Sequence, residues 1–458
     1  MSFSRDIAKL LVFLAALLLL PASVSAQTFT DLIDFTDSSF GSPGYVSLAQ
    51  GRDGNLYGTT AAAPITGTGT VFSTTPLGTV KMEFGGFDWE NGAHPEGSLT
   101  LAPDGTFYGT TEFSNSAGVI FNITSNADYT VVHQFQGDVD GSYPIAPPIL
   151  GTDGFLYGTT TGYPHGLPST VYKYDPSTGT VTLLHSFGKS VGLYWALTQG
   201  IDGDLYGVAL QGGPNKLGSI FRMTTSGLLR YVYNFPGGDA GQNPNGPLVQ
   251  LNDGNFYGTA SFVGTASGGI VFKMTPGGDI SIIHNFNLDD PNGWAPITGL
   301  TLGSDGLLYG FANAGGSNNY GVIYRLTTSG NYTALYNLTA YSATLAPLTQ
   351  HTNGMFYGVA SYGGANNFGM VYRFDCHLKP FISLVQPQGH AGQTIQILGQ
   401  GLSTATKVTF NGKPALTFAV VSDTYMTAVV PNGATTGVVK VSSPANTLMS
   451  NRIFRITP

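Results

Sequence analysis

Charge is scarce in this sequence. Only 10% of its 458 residues are Asp, Glu, Lys or Arg, against roughly 25% in an ordinary soluble domain. Surface polarity therefore has to come from Thr, Ser, Asn and the backbone. The 18 Lys and Arg residues form no cluster and the formal net charge is −8, so nucleic acid and anionic membrane surfaces find no basic footprint. A single cysteine, Cys376, excludes an internal disulfide framework. Its neighbours Asp375 and His377 raise the question of a reactive thiol, against the plainer reading of a small apolar residue at a domain junction. Gly-x-Ser-x-Gly, phosphate-loop and metal-spaced histidine patterns are missing. Sustained helical periodicity is missing beyond the N-terminus. The one long apolar run, Leu10–Leu20, has eleven residues and is too short to span a bilayer. With Arg5 and Lys9 before it and Val24-Ser25-Ala26 after it, residues 1–26 are expected to be a secretory signal peptide. An uncleaved N-terminal anchor is the alternative. After cleavage, no membrane insertion is expected of the chain from Gln27 onward.

What is abundant is turn residues, 64 Gly and 26 Pro, and they recur in a pattern. The stretch Asp153-Gly154-Phe155-Leu156-Tyr157-Gly158-Thr159-Thr160 returns at 53–60, 104–111, 202–208, 253–259, 305–310 and 353–359, the last with Asn353 for Asp. Its tyrosines, at 57, 108, 157, 206, 257, 309 and 357, are 48 to 52 residues apart. A fixed period of this length marks a repeat architecture. The unit Pro247–Phe286 carries four short β-type runs: 247–250, 256–259, 269–274 and 280–286. Four strands per unit, seven times over, predict a seven-bladed β-propeller spanning residues 27–375. A β-solenoid is the rival, and the termini separate the two. Phe29–Phe35 reads as a fourth run, while the last unit stops after its third, 369–374. The N-terminal strand is thus expected to complete the last blade and close the ring, leaving no open edge.

The Asp-Gly-x-Leu-Tyr-Gly-Thr and Gly-x-Val-Phe-x-Met/Leu-Thr motifs resemble the bacterial GloVer-type tandem-repeat family over nearly all of 27–375. That resemblance implies a bacterial secreted or cell-surface protein whose ligand the family does not specify. Residues 379–458 differ in composition. Gly399-Gln400-Gly401-Leu402, Val408-Thr409-Phe410-Asn411-Gly412 and period-two alternation with frequent Gly/Asn turns read as a small β-sandwich. The block is similar to the IPT/TIG domain, an immunoglobulin-like module. The expected chain is therefore all-β: signal peptide, propeller, sandwich.

The candidate site residues sit in the connections between blades. Trp89, Trp195 and Trp294, the three tryptophans, all precede an inner strand. Such rings stack on sugars or plug the channel mouth. Asp138, Asp140, Asp289 and Asp290 flank turns and carry hard oxygen ligands. Calcium takes roughly six to eight oxygens, and the full spacing of a calcium loop is missing, so solvated turn acids are the plainer reading and no other cofactor is expected. The Asp of each Asp-Gly pair reads as a turn residue, and the repeated tyrosines as blade packing. His133, His185 and His284 share one repeat position with Tyr233 and Tyr336, which suits a structural slot. The function expected is a monomeric, secreted or surface protein whose propeller binds an extracellular glycan or protein, with the sandwich as spacer or docking module. The alternative is a polysaccharide lyase or glycosidase, for which His94, Tyr143 and Asp138 are the nearest candidates.

Overall fold

Each Asp-Gly pair makes the turn its residues favour. Gly154 sits at φ 86°, a region open to glycine, and its N–H reaches Gly151 O at 3.1 Å. Asp153 Oδ1 accepts the Phe155 N–H at 3.3 Å. The turn joins a two-residue strand, Ile149–Leu150, to Leu156–Thr160. Pro168–Asp175 and Thr180–Lys189 complete an antiparallel four-stranded sheet in chain order. The computed structural model describes residues 27–36, 41–44, 46–62, 67–115, 117–162, 166–189, 191–262, 267–339 and 346–457. The expected signal peptide, residues 1–26, lies outside them.

Seven four-stranded sheets of this kind succeed one another through the repeats. The fold is a β-propeller. Its second strands, such as Leu56–Thr60 and Phe356–Ala360, are buried at every residue, because a sheet covers each face. They therefore read as unbroken apolar and Thr runs without alternation. The glycine after each repeat tyrosine has a steric cause. A Cβ on Gly158 would lie 2.3 Å from Cζ of Tyr172, whose ring crosses it from the third strand. Tyrosines of one sheet pack on the aromatic that opens the second strand of the next: Tyr57 on Phe107 at 4.4 Å, Tyr206 on Phe256 at 4.1 Å and Tyr309 on Phe356 at 4.3 Å.

Around the central channel the first strands are stapled together. Thr198 Oγ1 donates to Leu248 O at 2.6 Å, Thr301 Oγ1 to Leu348 O at 2.5 Å and Thr349 Oγ1 to Leu48 O at 2.7 Å. Gln250 Oε1 accepts Ile201 N–H at 2.7 Å, and Gln50 Oε1 accepts Thr352 N–H at 3.0 Å. The last of these bonds in each set join the final sheet to the first.

The ring closes as its sequence predicts. Thr28–Asp34 pairs antiparallel with Met370–Asp375, Phe29 opposite Phe374, with one irregularity between Asp31 and Ile33. Phe29 is stacked between Tyr336 and Tyr372, at 5.0 and 4.8 Å.

The C-terminal block is a sandwich. One sheet runs Ser383–Leu384, Thr394–Leu398, Tyr425–Val429, Phe418–Val420. The other runs Lys413–Pro414, Lys407–Phe410, Val439–Ser442, Thr447–Met449. Ile395, Ile397, Val408, Phe410, Met426 and Val441 form its core. It is seated on the propeller face that carries the Asp-Gly turns. Thr424 Oγ1 donates to Arg52 O at 2.6 Å, the Arg52 guanidinium lies 4.4 Å over the Tyr425 ring, and Gln400 Nε2 donates to Thr352 Oγ1 at 3.1 Å. The long-loop face is the opposite one. Among the described residues no helix is long and apolar enough to cross a membrane.

Candidate functional site

On the long-loop face the connection 85–99 leads from the outer strand Val80–Phe84 to the inner strand Thr100–Leu101. It begins with a turn capped by Asp88, whose Oδ1 accepts the N–H of Glu90 at 2.8 Å and of Asn91 at 2.6 Å. The chain then adds a short bridge beside the end of the second strand: Ala93 N–H to Phe113 O at 2.7 Å, and Glu112 N–H to His94 O at 2.9 Å. His94 occupies a left-handed conformation, φ 57°. Its N–H is held by Thr68 O at 2.9 Å. Tyr143, at φ 60°, holds the matching place in the next connection, with its N–H on Ala117 O at 2.8 Å.

These bonds converge side chains from three segments. A nitrogen of His94 and one carboxylate oxygen each of Glu96 and Glu112 lie within 4.8 Å of one another, all three residues being half-buried. Phe113 stands beside them, edge-on to His94 at 5.3 Å and to Tyr143 at 5.7 Å, and 6.0 Å from Trp89. The Trp89 ring is 51% exposed, so the cluster presents an apolar wall to solvent next to two acids. Burial pushes the Glu112 carboxyl up to about 7. Burial also lowers the His94 pKa, and raises that of Tyr143, with the Glu112 charge adding to it. Among the described residues this is the one grouping in which a divalent cation would find three ligands. An imidazole in the set suits zinc better than calcium.

The remaining candidates stand apart. Trp195 and Trp294 are half-buried and pack against sheet cores that include Phe256 and Phe272 for the first and Tyr324 and Leu326 for the second. Asp138 is exposed. Asp140 receives His133 Nε2 and Gln136 N–H, both at 2.7 Å. Asp289 is exposed. Asp290 Oδ1 receives Asn292 N–H at 2.8 Å and Asn292 Nδ2 at 2.9 Å. The donors on Asp140 and Asp290 are the protein's own, as in capped turns. Cys376 lies half-buried, its thiol pushed up to about 11 by burial; a neutral thiol is a poor nucleophile.

Sequence reasoning missed Glu96 and Glu112. The signal was a departure from the repeat. The residue four after the repeat glycine pair's tyrosine is Ala61, Thr161, Leu210, Ser261, Asn313 or Ser361 elsewhere, and an acid only at Glu112.

A family model described as the Gloeobacter/Verrucomicrobia repeat matches residues 19–162 and 194–413, and one for the IPT/TIG domain matches residues 380–453. No curated protein matches the chain. Among solved structures, a fungal alcohol oxidase of the AA5 family, in complex with copper, is 14% identical and aligns over 95% of this chain and 100% of its own at a TM-score of 0.57. An oligogalacturonate lyase from Vibrio parahaemolyticus is 11% identical, over 76% of this chain and 97% of its own, at a TM-score of 0.51. At these identities the likeness is one of fold.

Proposed function

The chain belongs to the Gloeobacter/Verrucomicrobia repeat family, and from that premise we propose that it is an extracellular binding protein whose propeller takes a glycan on its long-loop face. A repeat propeller joined to an IPT/TIG domain is the make-up of an extracellular binding or structural protein. The observation that carries the finer reading is the exposed Trp89 ring, continuous with His94, Phe113 and Tyr143 and bordered by Glu96 and Glu112. A sugar presents a C–H face to an aromatic and hydroxyls to a carboxylate. A large aromatic contributes on the order of 150–250 Å² of contact. The sandwich covers the other face and leaves this one open, which fits a spacer or docking module. On this reading the protein works outside the cell as a monomer.

The test is a glycan array with the chain from Gln27, followed by titration of the best glycan against Trp89→Ala. The expected result is binding that the substitution removes while the melting temperature stays within a degree or two, since surface changes cost little. No bound glycan, or equal binding by the variant, sinks the reading. The spacing of Glu96 and Glu112 favours a second reading, glycoside hydrolysis, because the carboxyl groups of retaining glycosidases stand about 5–5.5 Å apart. Mass analysis of the bound glycan decides it: an uncleaved sugar after long incubation removes the enzyme.

A further inference from the structure

Two of the chain's basic residues stand where the sandwich meets the channel. Arg452 lines two cavities there, of about 450 and about 290 Å³, and Arg455 lines the smaller. Their other walls are the first strands of the propeller, Thr198, Gln199, Gln250, Thr349 and Gln350 among them, with Pro387 of the sandwich. No Asp or Glu lines either cavity.

Among the described residues neither guanidinium makes an ion pair or a side-chain hydrogen bond. The polar groups of the wall are occupied with one another. Gln199 Oε1 takes Thr152 N–H at 2.9 Å, Gln250 Oε1 takes Ile201 N–H at 2.7 Å and Gln350 Oε1 takes Ser304 N–H at 2.8 Å. The threonine hydroxyls are spent on the staples between sheets. Arg452 is exposed and Arg455 half-buried, and the protein atoms crowding each guanidinium lower its pKa. Both remain charged, since a guanidinium does not lose its proton in a protein. Two cations without a counter-charge thus line one chamber in a chain of net charge −8.

We propose that the covered end of the channel is an anion site, where Arg452 and Arg455 hold the carboxylate or sulfate group of an acidic saccharide. The planar fork of a guanidinium matches both groups. The cavity volumes fall in or near the range of small-ligand sites, roughly 300–1,000 Å³, enough for a sugar acid. The site is separate from the loop-face cluster, so Trp89→Ala leaves it unchanged, and the two readings fail independently.

Isothermal titration of the chain from Gln27 with sodium glucuronate, sodium sulfate and, as the neutral control, glucose tests it. Glucuronate should bind, glucose should not, and Arg452→Gln should weaken glucuronate by roughly tenfold or more, with Arg455→Gln following in the same direction. Arg452→Lys, which keeps the charge and loses the fork, should fall between. Melting curves of the three variants serve as the folding control; a variant that melts low is set aside and the other arginine carries the test. Binding of sulfate alone overturns the saccharide assignment. Binding of neither anion, or unchanged binding by the glutamine variants, overturns the site.

Discussion

Tyr157 donates its phenolic hydrogen to Asp153 Oδ2 at 2.6 Å. The same bond joins Tyr57 to Asp53 at 2.9 Å, and Tyr206, Tyr257 and Tyr309 to Asp202, Asp253 and Asp305 at 2.8 Å. Since the other oxygen of the carboxylate caps the turn, one Asp ties turn and strand together. In the last repeat Asn353 Nδ2 donates to Tyr357 Oη at 3.0 Å, and that hydroxyl turns to Pro76 O at 3.2 Å. Asp153→Ala is expected to cost about 1–2 kcal/mol and Tyr157→Phe about 1 kcal/mol. Asp153→Asn should cost the least of the three, because an amide already serves in the seventh repeat. Urea unfolding of the three variants checks the order.

A second expectation concerns acid. His351 is fully buried. Its Nε2–H donates to Gly54 O at 3.0 Å and its Nδ1 accepts Asn353 N–H at 3.1 Å, so the neutral ring satisfies both partners across the seam between last and first sheets. Burial holds its pKa below the ordinary value. The unfolded chain therefore takes up the proton first, at about 6.5. The stability His351 contributes is complete above that pH and is lost as pH falls through it towards the folded value. His94, His185 and His284 are lowered in the same sense. Glu112, which burial pushes up to about 7, works in the opposite sense over the same interval, so the difference between parent and variant is the readout. Between pH 7.5 and 5.5 the parent's urea midpoint should fall relative to that of His351→Gln; a difference that does not change over this interval contradicts the assignment.

The ring closure gives a third. Without residues 27–36, Met370–Asp375 becomes an exposed edge strand, open to pairing with other molecules. The truncated chain should aggregate and lose its cooperative melt. Phe29→Ala removes only the ring between Tyr336 and Tyr372 and should cost about 2 kcal/mol, less than the roughly 3–5 of a fully buried ring. A truncated chain that melts as the parent does would show that the pairing carries no stability.

The sandwich supplies the fourth. Its core closes on itself, with Phe454 edge-on to Phe410 at 5.3 Å. Residues 379–458 expressed alone should melt as one cooperative unit; a flat transition would place the boundary elsewhere. In the whole chain, Arg52→Ala removes the stacking on Tyr425 and should loosen the seat, read as faster proteolysis between 376 and 382, with little change in either melt.

Sequence carried the fold because each level agreed. Asp-Gly turns, Leu/Phe-Tyr strands and the permuted first strand all pointed to one closed ring. It carried less of the polar design. The Asp of the repeat suits a turn and the Tyr suits packing, each on its own terms, and only the geometry shows that they are partners. The seat of the sandwich was not legible either, because Thr424 and Arg52 are 372 residues apart and neither belongs to a motif. Glu96 and Glu112 were hidden by the strength of the repeat itself: attention to what recurs passes over the positions where one copy differs.

The closing strand also sets an order of events. Asp34 and its partner loop at Ala365 are 331 residues apart, so the segment synthesised early in the propeller waits for the last. The entropy of so long a loop is modest, since each doubling of length adds only about 0.6 kcal/mol. Time is the larger constraint. At roughly 5–20 residues per second, Thr28–Asp34 spends many seconds without its partner. During that interval it must stay out of the sheets already forming, and any nearby edge is a competitor. Its four acids and alcohols, Thr28, Thr30, Asp31 and Asp34, suit a strand that has to remain single and soluble until the last blade arrives.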